Sequence, residues 1–290
     1  MTRKIIYVLI LVLMAGAAQA VAHDDPATYS STYANFYYGV ESIDIYREGL
    51  RQGNNPSAFS VVGDSNTRSP LFMIPLGNGG LNLDEHEYMR GVFEYFSSPF
   101  NSFTNRSVAA QNGWTTVELL TPGTKSDAPN ARRCQVDETP LQCEYRITRP
   151  SLAFIMIGTN DIMRDHPDEG FRGNLNAIVD VTRSYGVIPI LSTIPDIRVG
   201  DQRYRERVAK INEIIISVAY NHQIPVWDLW ADLQALPNRG LTGDGLHLSA
   251  PASGATGVFS AAMLTQYGFN LRNFRLLSVL DQMNLHLRPE

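Results

Sequence analysis

The sequence is short of cysteine, of positive charge and of long apolar runs. Its two cysteines among 290 residues are too few for the usual structural zinc site, and neither has a CxxC spacing or a nearby histidine. Acidic residues outnumber basic ones by 29 to 24, which argues against a nucleic-acid-binding protein. Beyond the first twenty residues, no apolar run approaches the roughly 18 residues of a membrane-spanning helix.

Apolar residues are plentiful. They make up 44% of the chain, against 18% charged residues, and this excludes disorder as the main state. A chain of this length can build one large core, and α/β folds of this size are often a single domain. No internal repeat or low-complexity tract is evident.

The N-terminus has the features of a secretory signal peptide over residues 1–20. Arg3 and Lys4 precede the apolar run Ile5–Met14, and small residues follow it. Cleavage is expected after Ala20, with Ala22 as a second possible site, and an uncleaved anchor is the alternative. We therefore expect a secreted or periplasmic protein without a stable membrane span after cleavage.

Export changes the interpretation of Cys134 and Cys143, which lie nine residues apart in one polar loop. Outside the cytoplasm, a disulfide is the default for such an isolated pair, with two free thiols as the alternative. The loop, residues 121–149, leads into a predicted strand. Loops that precede parallel strands lie at the edge of the sheet opposite the usual ligand-binding edge, so we expect this loop there, with a structural role.

Four short apolar runs predict buried strands, and helical patterns separate them. Near-continuous apolar runs are typical of parallel strands covered on both faces. They are residues 58–62, 151–157, 187–193 and 224–229. Apolar residues at helical spacing predict helices over 171–185 and 208–218, and another is expected from Thr115 to Leu120.

This order predicts a three-layer α/β/α sandwich with a mostly parallel central sheet. We expect an N-terminal segment over 21–56, the domain itself over 57–268, and a C-terminal tail over 269–290 that packs on the same domain.

Four short motifs carry side chains suited to acyl transfer. Ser65 follows Gly63 at the end of the first predicted strand, the edge where open α/β sheets bind ligands. Asp244 and His247 are spaced so that a carboxylate can hold the imidazole while the imidazole accepts a serine proton. Each motif alone has a simpler explanation, since serine, aspartate and asparagine are common at helix caps and turns.

The other two motifs can supply hydrogen-bond donors. Asn160 follows the second predicted strand in the run GTND, where its amide would point toward the same edge. Gly113, in the run NGWTT, can offer an unhindered backbone N–H to an anion. The Gly-rich run 77–80 offers other backbone donors.

The chain resembles the SGNH, or GDSL-type, esterase and lipase superfamily, because it has the four motifs of that family in the family's order. They are GDSN at 63–66, NGWTT at 112–116, GTND at 158–161 and DGLH at 244–247. The resemblance spans about residues 57–265, and the first block has Asn66 where the family name has leucine. It implies an SGNH-hydrolase fold, flavodoxin-like, and hydrolysis of carboxylic esters through an acyl-enzyme.

The resemblance also implies a role for each motif residue. Ser65 would be the nucleophile, His247 the general base and Asp244 the residue that orients it. The backbone N–H groups of Ser65 and Gly113 and the side chain of Asn160 would form the oxyanion hole. No metal or organic cofactor is required.

The loops that follow the strands should frame the substrate pocket. They are residues 66–84, 161–171, 194–203 and 230–243. These loops contain both polar and apolar residues, and none of them resembles a long apolar lid. We therefore expect a short acyl group, such as acetyl, on a polar alcohol or a carbohydrate. A lipase or lysophospholipase for longer chains and a non-catalytic glycan-binding domain are the alternatives.

Overall fold

The structure, a computed structural model, describes residues 35–288 of the chain. The predicted signal peptide and both of its possible cleavage sites lie outside these residues.

One five-stranded sheet runs through the middle of the protein in the order β1-β5-β4-β3-β2. Its strands are β1 Phe36–Tyr37, β2 Asn55–Gly63, β3 Pro150–Met156, β4 Ile188–Ser192 and β5 Val226–Trp227. All neighbouring pairs are parallel except β1 and β5, which are antiparallel. The four predicted strands are therefore confirmed, with bounds shifted by one to three residues, whereas β1 was not predicted.

Helices cover both faces of the sheet. They are α1 Ser42–Arg51, α2 Ser65–Arg68, α3 Arg90–Ser97, α4 Thr116–Leu120, α5 Pro140–Thr148, α6 Thr159–Met163, α7 Asp168–Ser184, α8 Gln202–His222, α9 Leu229–Leu233, α10 Ala261–Leu264 and α11 Gly268–Leu287. Helices α5, α7 and α8 pack in one layer, and α1, α3 and α9 pack against α11 in the other. The predicted α/β/α sandwich is confirmed.

The apolar runs of the sequence are strands because the sheet is buried on both faces. Every residue of β3 and β4 is buried, as are the last seven residues of β2. Burial of a side chain as large as leucine or phenylalanine contributes about 2 kcal/mol, so these short strands supply much of the stability of the core. Their carboxyl ends meet at one edge, which carries the motifs.

Helix α7 shows how the helical layer closes on the sheet. Its apolar face buries Phe171, Leu175 and Ile178, as their spacing predicts. The turn after the helix contains Gly186, whose φ of +63° and 2.4 Å gap between a virtual Cβ and the Gly49 Cα admit only glycine. The chain can therefore turn directly into β4 against helix α1.

The cysteine region differs in part from the prediction. Cys134 and Cys143 form a disulfide, as predicted, but Cys143 lies buried within α5 rather than in a loop. The expected place of the whole region at the far edge is wrong for its first part. The Asp127 carboxylate lies 2.6 Å from the guanidinium of Arg68, one turn beyond Ser65, so the chain folds back toward the motifs.

Between residues 35 and 288, no helix is both long enough and apolar enough to cross a membrane.

Candidate active site

Ser65 stands at the point where β2 turns into α2. Gly63 ends the strand so close to β3 that a Cβ would lie 2.2 Å from the Met156 carbonyl oxygen, so only glycine fits. Asp64 then caps α2, because its Oδ1 accepts the N–H of Asn66 at 3.1 Å. As the first residue of the helix, Ser65 keeps its own N–H free of any acceptor among the described residues.

A continuous hydrogen-bonded relay links the three residues predicted to form a triad. His247 Nε2 lies 3.0 Å from Ser65 Oγ, and His247 Nδ1 lies 2.7 Å from Asp244 Oδ2. Both His247 and Asp244 have side chains that are nearly half exposed. An imidazole held in this way by a carboxylate presents an unprotonated Nε2 to the serine hydroxyl and can accept its proton.

Asp244 is held as a carboxylate by the turn that it caps. Its Oδ1 accepts the N–H groups of Leu246 and His247, at 2.8 and 3.0 Å, and the hydroxyl of Thr242 at 2.7 Å. Partial desolvation acts to raise the pKa of Asp244, but these bonds and that from the His247 ring outweigh it. The pKa therefore lies well below its usual range, and the group faces the imidazole as an anion.

Gly113 reaches this edge because the chain before it runs beside the end of β2. Gly63 N–H donates to the Ala109 carbonyl at 3.0 Å, and Gln111 N–H donates to the Gly63 carbonyl at 3.2 Å. Gly113 follows with a φ of +76°, a conformation that favours glycine. Among the described residues, no acceptor takes its N–H.

Asn160 has its amide fixed by the same loop. Its Nδ2 donates to the Trp114 carbonyl at 3.0 Å, which fixes the orientation of the amide and leaves its second N–H for another acceptor. The Arg164 guanidinium donates to the Gly113 carbonyl at 2.6 Å and to Glu118 at 2.8 Å. These hydrogen bonds therefore hold the loop that carries Gly113 against the segment that carries Asn160.

Other carboxylates near this edge have structural partners. Asp161 is 1% exposed and accepts the N–H and hydroxyl of Thr116 at 3.1 and 2.7 Å. Asp196 pairs with Arg239 at 3.0 Å. Each holds two segments together, and Asp244 is the carboxylate that contacts His247.

The Gly-rich run 77–80 packs elsewhere. A Cβ on Gly77 would lie 2.6 Å from the Thr104 side chain, and its carbonyl accepts Asn101 Nδ2 at 3.3 Å.

Behind Ser65 lies a buried pair of charged residues, Arg272 and Asp64, that was not expected from the sequence. Arg272 of α11 donates to the Asn66 carbonyl at 2.8 Å and to Thr67 Oγ1 at 3.0 Å, and its guanidinium carbon lies 3.7 Å from the centre of the Phe72 ring. Burial lowers the pKa of Arg272 to about 9 and raises that of Asp64 to about 6, although each charge partly offsets the other. The one available signal was the polar group Asn270, Arg272 and Asn273 inside an apolar helix, and all three are buried.

Between residues 35 and 288, no group of three or more His, Cys, Asp or Glu side chains is arranged to hold a metal ion.

A sequence model of the GDSL-like lipase/acylhydrolase family matches residues 61–253, about two thirds of the chain and all four motifs. None of the curated proteins matches significantly.

Solved structures resemble this chain at low sequence identity. An acetyl esterase determined with an acetate ion has a TM-score of 0.50 at 15% identity, covering 77% of this chain and 98% of that chain. A lipase/acylhydrolase from Enterococcus faecalis has 0.49 at 20%, covering 80% and 98%. A carbohydrate esterase family 3 structure from Talaromyces cellulolyticus has 0.49 at 15%, covering 77% and 98%.

The fold, the motifs and the family match together define a carboxylic ester hydrolase of the SGNH type. The chain belongs to the GDSL-like lipase/acylhydrolase family.

Proposed function

We propose that this protein is an exported serine esterase that hydrolyses short-acyl esters, such as acetyl esters, of polar or carbohydrate alcohols. The observation that carries the proposal is the relay from Ser65 Oγ through His247 to Asp244, with contacts of 3.0 and 2.7 Å. Contacts of this length allow proton transfer without rearrangement.

In the proposed reaction, Ser65 Oγ attacks the ester carbonyl carbon while its proton passes to His247 Nε2. The tetrahedral oxyanion accepts the N–H groups of Ser65 and Gly113 and the free side-chain N–H of Asn160. As the carbon–oxygen bond to the alcohol breaks, His247 returns the proton to the leaving oxygen. Water, activated by His247, then hydrolyses the acyl-serine in the same way.

The preference for a short acyl group rests on where the apolar side chains of the pocket loops lie. Among the large apolar residues of the loop after Ser65, Phe72, Met73 and Leu76 are at most 2% exposed and belong to the core, and Leu71 and Ile74 are partly buried. Two arginines lie near the site, since the Arg164 guanidinium contacts Gly113 and the main-chain N–H of Arg198 donates to the Gly245 carbonyl at 2.8 Å. A surface of this kind suits a polar alcohol better than a long hydrocarbon chain.

Export is supported by the Cys134–Cys143 disulfide and by the signal-like N-terminus. Disulfides of this kind persist in oxidising compartments outside the cytoplasm.

The test compares nitrophenyl acetate with nitrophenyl palmitate as substrates of the purified protein, with Ser65→Ala as the control. We expect kcat/KM to be at least tenfold higher for the acetate, and Ser65→Ala to lose on the order of 10⁴ to 10⁶ of the turnover. A higher kcat/KM for the palmitate would make the protein a lipase. Near wild-type turnover by folded Ser65→Ala would overturn the serine mechanism.

A further inference from the structure

Asn66, the residue after Ser65, has a side chain that reaches across to the segment that carries His247. Its Oδ1 accepts the N–H of Leu248 at 3.0 Å, and its Nδ2 donates to the carbonyl of Leu246 at 3.1 Å. Leu246 and Leu248 are the two neighbours of His247. One buried amide, 1% exposed, therefore holds the backbone on both sides of the imidazole.

The main chain of Asn66 is fixed as firmly as its side chain. Its N–H donates to Asp64 Oδ1 at 3.1 Å, and its carbonyl accepts Arg272 Nη1 at 2.8 Å. All four kinds of polar group on Asn66 thus have partners, and a rotation of the side chain would leave buried groups unpaired. The orientation of the amide follows from its two backbone partners, one an acceptor and one a donor.

The segment that carries His247 needs such an anchor. His247 is 182 residues from Ser65 and comes from a turn whose side chains are nearly half exposed. Within that turn, Asp244 holds the ring to its own backbone, a local contact that does not fix the turn relative to α2. The bonds from Asn66 do so, because Asn66 and Ser65 are adjacent on the same helix.

We propose that Asn66 is a positioning residue that holds His247 Nε2 at the distance from Ser65 Oγ needed for proton transfer; this rests on the proposed function. Leucine, the residue of the family name at this position, has no group for either bond. This chain therefore uses a side-chain amide to join its nucleophile helix to its base. A displacement of about 1 Å in such a pair can cost on the order of 10²-fold in rate.

A purely structural role for Asn66 makes a different prediction. It would lower stability and the amount of active protein, without acting through His247. Two measurements distinguish the two roles. One is whether the substitution of Asn66 changes kcat or KM, and the other is whether its effect on kcat disappears when His247 is also replaced. Asn54 offers a matched control, because its Nδ2 donates to the carbonyls of Tyr185 and Gly186, at 2.8 and 3.0 Å, at the opposite end of the sheet.

The experiment measures nitrophenyl acetate hydrolysis by Asn66→Ala, Asn66→Leu and Asn54→Ala, with folded protein quantified by circular dichroism. We expect both Asn66 variants to lose about 10²-fold in kcat with KM changed less than threefold. Asn54→Ala should keep kcat within threefold. Asn66→Leu fills the buried space and so provides the test if the alanine variant does not fold.

The decisive arm repeats Asn66→Ala in a His247→Ala background. If Asn66 acts through the imidazole, the second substitution changes the residual rate less than threefold, because the base that it positions is gone. An equal loss in both backgrounds, or an unchanged kcat in both Asn66 variants, would overturn the proposal. If His247→Ala alone retained full activity, the proposed function would fail instead, and the two failures are distinguishable.

Discussion

The side-chain amide of Asn160 donates a 3.0 Å hydrogen bond to the main-chain carbonyl of Trp114, the residue after Gly113. This contact joins the segments of two of the three donors proposed for the oxyanion hole, the side chain of Asn160 and the backbone N–H of Gly113. Because this bond uses one of the two amide hydrogens, it fixes the direction of the second one. The second N–H can then donate to the oxyanion without any movement when charge develops on the substrate.

Asn160→Ala should therefore lower kcat by roughly 10² to 10³ with little change in KM, as expected for one lost oxyanion donor. Steady-state kinetics on nitrophenyl acetate measure this. Asn176→Ala is the matched control, since Asn176 also donates to a main-chain carbonyl, that of Arg172 at 2.9 Å, but lies on the α7 helix. An effect of Asn160→Ala confined to KM would reassign Asn160 to substrate binding.

Asp244→Asn should fold and lose on the order of 10⁴ in kcat, because an amide no longer fixes the tautomer of His247 in which Nε2 accepts a proton. Since the pKa of Asp244 lies well below its usual range, Asp244 should stay ionised and keep its bond to the imidazole as the pH falls, so a loss of activity in acid should not arise from this carboxylate. The kcat/KM profile against pH measures this.

The control for that experiment is Asp196→Asn, because Asp196 pairs with Arg239 rather than with His247. A tenfold or smaller loss in Asp244→Asn, with an unaltered pH profile, would make Asp244 a turn residue and would contradict the proposed triad.

Replacing Cys134 and Cys143 together with serine should lower the free energy of unfolding by about 2 to 3 kcal/mol, as estimated from the chain entropy of a short loop. Urea denaturation measures the change. Turnover at 25 °C should stay within threefold, because neither sulfur contacts the relay. Thiol titration of denatured, unreduced protein should find no reactive thiol, and two thiols after reduction; two before reduction would disprove the disulfide.

The stability of the protein should depend on pH through Asp64. Burial raises the pKa of this carboxyl from 3.8 to about 6, although Asn66, Arg272, Thr159 and His247 act to lower it. Between these values the folded state holds a proton that the unfolded state releases, so this group makes the protein less stable as pH rises from 4 to 6.

Asp64→Asn keeps the helix cap and removes the titration. Relative to this variant, the wild-type protein should lose about 2 to 3 kcal/mol of unfolding free energy between pH 4 and pH 7. Urea denaturation of both proteins at the two pH values measures the difference, and a difference that is the same at both would contradict the prediction.

The sequence predicts the central sheet well because burial on both faces leaves a direct trace in β2, β3, β4 and β5, which are apolar runs bounded by glycine or proline. It also predicts that Ser65 and Asn160 lie near each other, because the carboxyl ends of parallel strands share one edge. Strand β1, which pairs antiparallel with β5 at the edge of the sheet, was not predicted.

The support behind the site could not be predicted in the same way. Arg272 belongs to no motif, and although three polar residues interrupt an apolar helix there, their spacing does not indicate that α11 crosses behind Ser65. Likewise, strand order placed the cysteine region at the far edge, but the path of a long connection is set by pairs such as Arg68 and Asp127. Contacts of this kind depend on tertiary packing rather than on spacing along the chain.

The bond from Arg272 to the Asn66 carbonyl has a consequence for the timing of synthesis, since it joins residues 206 positions apart. At a ribosomal rate of about 5 to 20 residues per second, α2 is synthesised about 10 to 40 s before Arg272. During this interval the carbonyl beside Ser65 lacks its partner, and the face that α11 covers is open. The proposed triad residues are thus all made before the helix that supports them, and a nascent chain should become a competent esterase only when α11 docks.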